Sequence, residues 1–201
     1  MGVQTDVQVK FIADENAADP DRLVTAARPN TSATMATTTF LGGGARNVTV
    51  TTTGTGDNGK TCTVTGSDVF GNAMTEVITS TGSAEAVAGT KLFLTVSAVE
   101  CSAQYAANIT VGSGSLCASA VAGGGRTRLK GYSIVSAGTA GLVDFYNGTP
   151  EDGTIIFKAQ TIGTDNSTVD NTIPDEGMLF KSGLAVGYTV ATVVLANVFF
   201  A

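Results

Sequence analysis

The sequence contains no histidine and no tryptophan, and only 14% of its 201 residues are charged. Histidine is the commonest general base and metal ligand, so its absence excludes serine-type catalytic triads, histidine-bearing zinc sites and facial-triad iron sites. We therefore expect a protein with no enzymatic activity, no metal and no organic cofactor. The net charge of −6 has the wrong sign for coating a phosphate backbone, so nucleic acid is not an expected partner.

Cysteine is scarce as well. Cys62, Cys101 and Cys117 are an odd number of cysteines, and their spacings match no paired Cys-x-x-Cys metal site. Cys62 alternates with threonines, which predicts that it lies on the buried side of a strand. We interpret the three as small apolar core residues in a reducing cytosol. A disulfide between Cys101 and Cys117 is the alternative, because both flank a candidate strand at 108–111.

The sequence also lacks the patterns that direct a chain into a membrane. Its first residues have no positively charged segment followed by a long apolar stretch, so no secretory signal is expected. The apolar run at 190–201 has 12 residues, which is too short to span a bilayer. These patterns predict a protein that stays in the cytoplasm where it is made and has no membrane partner.

What the chain has in abundance is threonine and glycine, with 31 and 25 residues, beside a hydrophobic fraction of 43%. Threonine and valine suit a pleated sheet and glycine supplies turns, so this composition predicts an all-β protein. Apolar residues recur at every second position in short runs bounded by turn residues. The predicted strands in the first half centre on 48–50, 62–64, 74–78, 92–99 and 109–111. Those in the second half are 129–135, 142–146, 155–158, 169–173, 184–190 and 193–200.

Composition shifts along the chain predict its domain organisation. We expect an extended N-terminal arm at 1–45, a β-rich domain at 46–117, a Gly-rich linker at 118–127 and a β-sandwich or jelly-roll-like domain at 128–201. The fold class is thus two antiparallel sandwich or barrel-like units preceded by an arm. A short helical turn at 20–27 is an alternative within the arm, because that stretch is rich in alanine.

Two apolar stripes contain the candidate interface residues. Val7, Val9 and Phe11 alternate within an arm that has too little apolar content to fold alone, so we expect a neighbouring chain to hold the arm. The last predicted strand, which includes Leu195 and Phe199, is apolar on both faces. Such a strand is either central in a sheet or covered by a partner. We expect another copy of the chain to cover it around a symmetry axis.

One motif suggests chemistry. Residues 54–61, GTGDNGKT, match the G-x-x-x-x-G-K-[ST] pattern of phosphate-binding loops. That loop requires a helix to begin at the lysine, because the helix N-terminus supplies the amides that hold the phosphates. Here an alternating, β-branched run follows Lys60, which predicts a strand. We interpret 54–59 as a β-hairpin turn that binds no nucleotide. The paired carboxylates at 151–152 and 175–176 lie beside Pro or Gly and are interpreted as solvated turn residues.

The two halves resemble known modules. The stretch 46–114, with VTVTTTGTGDNGKTCTVTGSDVFGNAMTEVI, KLFLTVSAV and ANITVGSG, is similar to a module of virion structural proteins of tailed bacteriophages. The stretch 129–201, with LKGYSIVSAGTAGLVDFYNGTPEDGTIIFKA and MLFKSGLAV, resembles another phage β-module, found in head decoration and appendage proteins. The resemblance rests on strands and turns, so it transfers no functional residue.

The resemblance implies a capsid decoration, or cement, protein that binds the outside of an assembled head and stabilises it. Its partners would be the major capsid protein or other virion proteins, and its location the virion, after synthesis in the host bacterial cytoplasm. The resemblance also favours a homotrimer, because decoration and appendage proteins of this kind commonly lie on threefold positions. A tail or head appendage, such as a fibre, knob or adaptor, is the first alternative. A carbohydrate-binding β-module is the second. Its candidate sugar platforms, apart from the phenylalanines and Tyr105, are Tyr132, Tyr146 and Tyr188.

Overall fold

The computed structural model describes residues 7–13, 17–82 and 84–201, and the chain is all-β with several antiparallel sheets. Helical backbone in this described part is confined to two 3-10 turns, Thr55–Asp57 and Val190–Thr192. None of its helices is long and apolar enough to cross a bilayer. The period-two pattern of the sequence therefore predicted the fold class correctly, although no sheet of the described residues closes into a barrel.

The chain folds as two compact units. The N-terminal unit comprises the described residues between 17 and 117, and the C-terminal unit comprises 118–201 together with 7–13. The first strand, β1 (Gln8–Ile12), thus belongs to the C-terminal unit although it begins the chain.

The N-terminal unit is built from two antiparallel sheets. Its strands are β2 (Val24–Ala27), β3 (Ala45–Thr52), β4 (Thr61–Ser67), β5 (Ala73–Thr79), β6 (Ala86–Phe93), β7 (Thr95–Cys101) and the first part of β8 (Ile109–Ala122). One sheet has the order β8-β3-β6, with β2 paired to β8, and the other has the order β5-β4-β7. Alternating residues of the two sheets share one apolar core that includes Val48, Val64, Phe93 and Tyr105.

The strands of the C-terminal unit range from three to ten residues in length. They are β9 (Thr127–Ser136), β10 (Leu142–Asn147), β11 (Thr154–Gln160), β12 (Thr168–Thr172), β13 (Met178–Phe180), β14 (Leu184–Thr189) and β15 (Val193–Phe200). One sheet has the order β1-β15-β9-β12, with β13 paired to β9, and β11-β10-β14 run side by side in another. The rings of Tyr132, Phe145 and Phe157 lie 5.6 to 5.7 Å apart and join these two sheets.

The prediction of an arm at 1–45 is corrected by the structure where residues are described. Leu23, Val24 and Phe40 are buried in the core of the N-terminal unit. The backbone of this segment also bonds to β7, since the amide of Ala33 donates to the carbonyl of Val99 and the amide of Val96 donates to Thr38. A few large apolar side chains and backbone pairing thus suffice to fold it. Residues 1–6 and 14–16 lie outside the described residues.

The same segment does not form the helical turn considered for 20–27. Residues 20–23 form a turn and a bend, and β2 follows at Val24–Ala27. Its alanine content did not decide the local structure, because burial of Leu23 and Val24 and pairing with β8 outweigh helix propensity.

Two turns join paired strands into hairpins, whereas the hairpin predicted at 54–59 does not form. The turn at 68–72 joins the paired strands β4 and β5, and Gly71 there has a φ of +85°, which glycine adopts without strain. The turn at 147–153 likewise joins β10 and β11. The predicted hairpin at 54–59 is wrong, because β3 pairs with β6 whereas β4 pairs with β5 and β7. The glycines of 54–59 therefore connect two sheets.

Some strand boundaries differ from those expected. The predicted strand 92–99 is two strands, β6 and β7, which meet at Leu94. The expected linker 118–127 shortens to 123–126, because β8 continues to Ala122 and β9 begins at Thr127. Ala118 and Ala120 continue β8 in spite of their low β propensity, and the strand ends before the run of glycines at 123–125.

Candidate interaction surface

The sheet β1-β15-β9-β12 of the C-terminal unit has one buried and one open face. Ile12, Ala196 and Ile134 lie opposite one another on successive strands, and all three are buried. Because side chains alternate across a strand, their neighbours Phe11 and Leu195 point to the other side. We call that side the outer face.

Apolar side chains are concentrated on the β1 and β15 part of the outer face. Val9 of β1 lies opposite Phe199 of β15, and Phe11 lies two residues further along β1. The exposed fractions are 58% for Val9, 58% for Phe11 and 36% for Phe199. Val7, just before β1, is 48% exposed. We call these four residues the apolar patch. Contiguous exposed apolar side chains of this kind mark surfaces that bind protein or another ligand.

The remaining predicted interface residue, Leu195, lies on the same face but is less exposed. It pairs with Val135 of β9, and both side chains are half-buried. Leu195 and Phe199 are four residues apart on one strand, which puts both on the outer face. The structure thus brings Val9, Phe11 and Phe199 together and places Leu195 at the far end of the same strand.

Polar residues bound the apolar patch on the side away from β1. The outer positions of β12 are Thr168, Asp170 and Thr172, and all three are exposed. Asp170 lies opposite Ser133 of β9. The outer face is therefore apolar at one edge of the sheet and polar at the other, which is the arrangement of an interface core beside its rim.

The expectation that a neighbouring chain holds the N-terminal stripe is corrected in part. Strand β1 pairs with β15 of its own chain from Gln8 opposite Phe200 to Ile12 opposite Ala196. The backbone of the stripe is thus satisfied within the chain. Its apolar side chains still face outward, because only Ile12 among the apolar residues of β1 is buried. Among the described residues, β1 pairs with no strand other than β15 and so forms the edge of the sheet.

The loop that matches a phosphate-binding motif is closed by an internal carboxylate. The Asp57 side chain is fully buried and accepts a hydrogen bond of 2.8 Å from Lys60 Nζ. It also accepts hydrogen bonds from the amides of Ala106 and Ala107, at 2.6 and 3.4 Å. Lys60 Nζ donates a further hydrogen bond of 2.6 Å to the carbonyl of Gln104.

This carboxylate takes the place that a phosphate would need. Burial raises the pKa of Asp57, but the hydrogen bonds from Lys60, Ala106 and Ala107 outweigh it and lower the pKa below its ordinary value of 3.8. Strand β4 begins at Thr61, so no helix N-terminus follows the lysine. The geometry therefore favours a structural role for the loop. The sequence predicts that the loop binds no nucleotide, but nothing in the motif indicates that Asp57 pairs with Lys60.

The tyrosines considered as sugar platforms are poorly placed for that role. Tyr132 and Tyr188 are buried, as is Tyr105, and Tyr146 is half-buried. Tyr146 Oη lies 3.4 Å from Asp144, and burial, together with that carboxylate, raises the pKa of Tyr146 to about 12. Sugar-binding platforms need exposed rings, and among the residues that the structure describes the exposed rings belong to Phe11 and Phe199.

We expect Asp57→Asn to destabilise the protein by about 2 kcal/mol at neutral pH, because the amide supplies a weaker acceptor to Lys60 and to the two backbone amides. The folded-state pKa of Asp57 is lowered, so its stabilisation is present above the unfolded-state value and is lost as the pH falls through the folded-state value. The stability difference between wild type and variant should therefore shrink at about pH 3. Urea unfolding at both pH values measures it.

Asp170→Asn is the matched control, since Asp170 is exposed on β12 and should change stability by less than about 0.5 kcal/mol. A difference between Asp57→Asn and wild type that stayed the same at the two pH values would contradict the role assigned to the Asp57 charge.

Comparisons with known proteins found no relative of this chain. No protein-family model, no curated protein and no solved structure matches the chain.

Proposed function

We propose that the chain is a structural protein of a tailed bacteriophage particle, and specifically a capsid decoration protein that binds the outside of the assembled head. The observation that carries the proposal is the apolar patch of Val7, Val9, Phe11 and Phe199, which a protein of 20.2 kDa exposes on one face of a sheet and which suits contact between copies of the chain in an assembly. A protein of this kind acts by contact and not by chemistry. It stabilises the lattice because it binds the assembled form better than free subunits.

The proposal includes a homo-oligomer, with a trimer favoured. A stable interface buries roughly 800 Å² on each partner, which is less than a tenth of the 9308 Å² surface of this chain. The four patch residues alone do not supply that area, but the outer face continues over Leu195 and Val135 to the polar strand β12. Three copies arranged with their patches around a threefold axis would bury the patches near the axis and leave the polar positions at the rim.

A tail or head appendage is the second candidate. The open edge of the sheet at β1 favours it, because an edge strand can pair with a strand of another protein. The two candidates make the same use of the apolar patch. They differ in stoichiometry, because decoration sites repeat over the whole head whereas appendages form single rings or small clusters.

Copy number in purified particles of the phage that encodes this chain tests the location. We expect tens to hundreds of copies per particle for a decoration protein, against about 3 to 18 for an appendage. Quantitative gel densitometry against the major capsid protein measures the ratio. A count in the lower range would replace the decoration proposal with the appendage, and absence of the chain from the particles would overturn both.

Phe11→Asp tests the oligomer. Phe11 is 58% exposed in the single chain, so the substitution should leave folding intact but place an unpaired charge in the contact. We expect wild type to have three times the 20.2 kDa mass of one chain and Phe11→Asp to have the mass of a single chain. Light scattering at micromolar concentration measures both.

Val77→Asp is the matched control, because Val77 is 60% exposed on β5 of the other unit and lies outside the patch. It should keep the wild-type mass. A wild-type protein that is monomeric at micromolar concentration, or a Val77→Asp variant that dissociates as Phe11→Asp does, would contradict the proposed contact.

A further inference from the structure

Two of the three cysteines face each other inside the N-terminal unit. Cys62 of β4 and Cys101 of β7 are directly opposite in the antiparallel pairing of these strands. Their Sγ atoms are 3.8 Å apart, although 39 residues separate them in the sequence. Both are thiols in this structure. The alternative of a bond between Cys101 and Cys117 is corrected, because Cys117 lies on β8 in a different sheet from β7.

A chain of polar groups ends at the sulfur of Cys62. Tyr105 Oη lies 3.2 Å from Cys62 Sγ, and Ser80 Oγ lies 3.0 Å from Tyr105 Oη. When the Ser80 hydroxyl donates to Tyr105 and the Tyr105 hydroxyl donates to the sulfur of Cys62, both hydroxyl hydrogens have an acceptor. The Cys101 sulfur also lies within hydrogen-bond distance of the Cys62 sulfur, and either thiol can donate in that contact.

These donors favour a thiolate at Cys62. The hydrogen bond from Cys101 lowers the pKa of Cys62 against the opposing effect of burial, and the bond from Tyr105 lowers it further. The pKa of Cys101 is raised, because its thiol donates to Cys62 and is itself buried. The two cysteines therefore differ in character, with Cys62 as the nucleophile and Cys101 as the proton-bearing partner.

We propose that Cys62 and Cys101 are a redox pair that closes to an intramolecular disulfide in the folded protein when the protein meets a small peroxide. Directly opposed residues of antiparallel strands have Cα atoms about 4.5 to 5.5 Å apart, which lies within the range that a disulfide spans. The strands can therefore stay paired while side-chain rotation brings the sulfurs together.

The reaction proceeds in two balanced steps. Cys62 first releases its proton to solvent, and its thiolate attacks one oxygen of hydrogen peroxide so that the O–O bond breaks. The leaving hydroxide takes up a proton from solvent, which balances the one released, to give water and a sulfenic acid at Cys62. The Cys101 sulfur then attacks the Cys62 sulfur, the S–O bond breaks, and the Cys101 proton leaves with the hydroxyl group as a second water. Two thiols and one peroxide thus give one disulfide and two waters.

Burial determines which oxidants can act. Cys62 has no exposed surface and Cys101 is 9% exposed, so a small oxidant fits the site better than a bulky disulfide does. The closed bond would join two strands across a 39-residue separation, which restricts the unfolded chain. We expect oxidation to raise the unfolding temperature by an amount on the order of 10 °C.

Wild-type protein treated with hydrogen peroxide at neutral pH tests the proposal. We expect the count of reactive thiols in the subsequently unfolded protein to fall from three to one. Peptide mapping should find Cys62 linked to Cys101, and a reductant should restore all three thiols and the original unfolding temperature. Cys117→Ser should form the same link, whereas Cys101→Ser should form no intramolecular disulfide.

The wild-type measurement decides the question even if the Cys101→Ser variant fails to fold. Retention of three thiols in the folded protein under conditions that oxidise the urea-unfolded protein would overturn the proposal. So would a link that involves Cys117, or oxidation of Cys62 beyond the sulfenic acid without a link to Cys101.

Discussion

The pairing of β15 between β1 and β9 is the interaction on which the C-terminal unit and its surface depend. It joins the first described strand to the last one by a continuous antiparallel register from Gln8 to Ile12. It also places the second half of β15 between two strands, so an apolar strand is stable inside a sheet. Ala196 and Val198 are buried on its inner face as a result, and Phe199 is left on the outer one.

The aromatic residues on the outer face are notable because this chain has few aromatic residues. Only 6% of its residues are aromatic, and the rings of Tyr132, Phe145 and Phe157 are used between the two sheets of the C-terminal unit. Phe11 and Phe199 lie on the side of the sheet away from that ring cluster. Exposed aromatic side chains in a helix-poor, acidic chain are consistent with a protein whose role is contact. The polar residues of β12 limit that contact to one part of the face.

The sequence predicted which residues form strands better than it predicted which strands pair. Period-two alternation identifies a strand and its two faces, and it placed β4, β5 and β10 correctly. It carries no information on the partner strand, since any apolar face suits any other. For this reason the turn at 54–59 was assigned to a hairpin that β3 and β4 do not form, and the β1 stripe was assigned to another chain.

The candidate sites show the same limit. Val9, Phe11 and Phe199 were identified one by one from their alternation, but their meeting on one face depends on the β1 and β15 register. The Cys62 and Cys101 pair depends on the β4 and β7 register, which no spacing in the sequence encodes. The ion pair between Lys60 and Asp57 depends on the amides of Ala106 and Ala107, which donate hydrogen bonds to Asp57 and lie about fifty residues further along the chain.

The central claim is that protein covers the outer face of β1 and β15 in the functional assembly. Hydroxyl-radical footprinting of the wild-type protein, with modification rates normalised for residue type, tests it most directly. The account predicts that Phe11 and Phe199 react far more slowly than their exposure in the single chain implies. Ile162 and Leu142, which are also exposed, should react at the rates that their exposure in the single chain implies. Modification of Phe11 at the rate expected of a side chain that is 58% exposed would contradict the account.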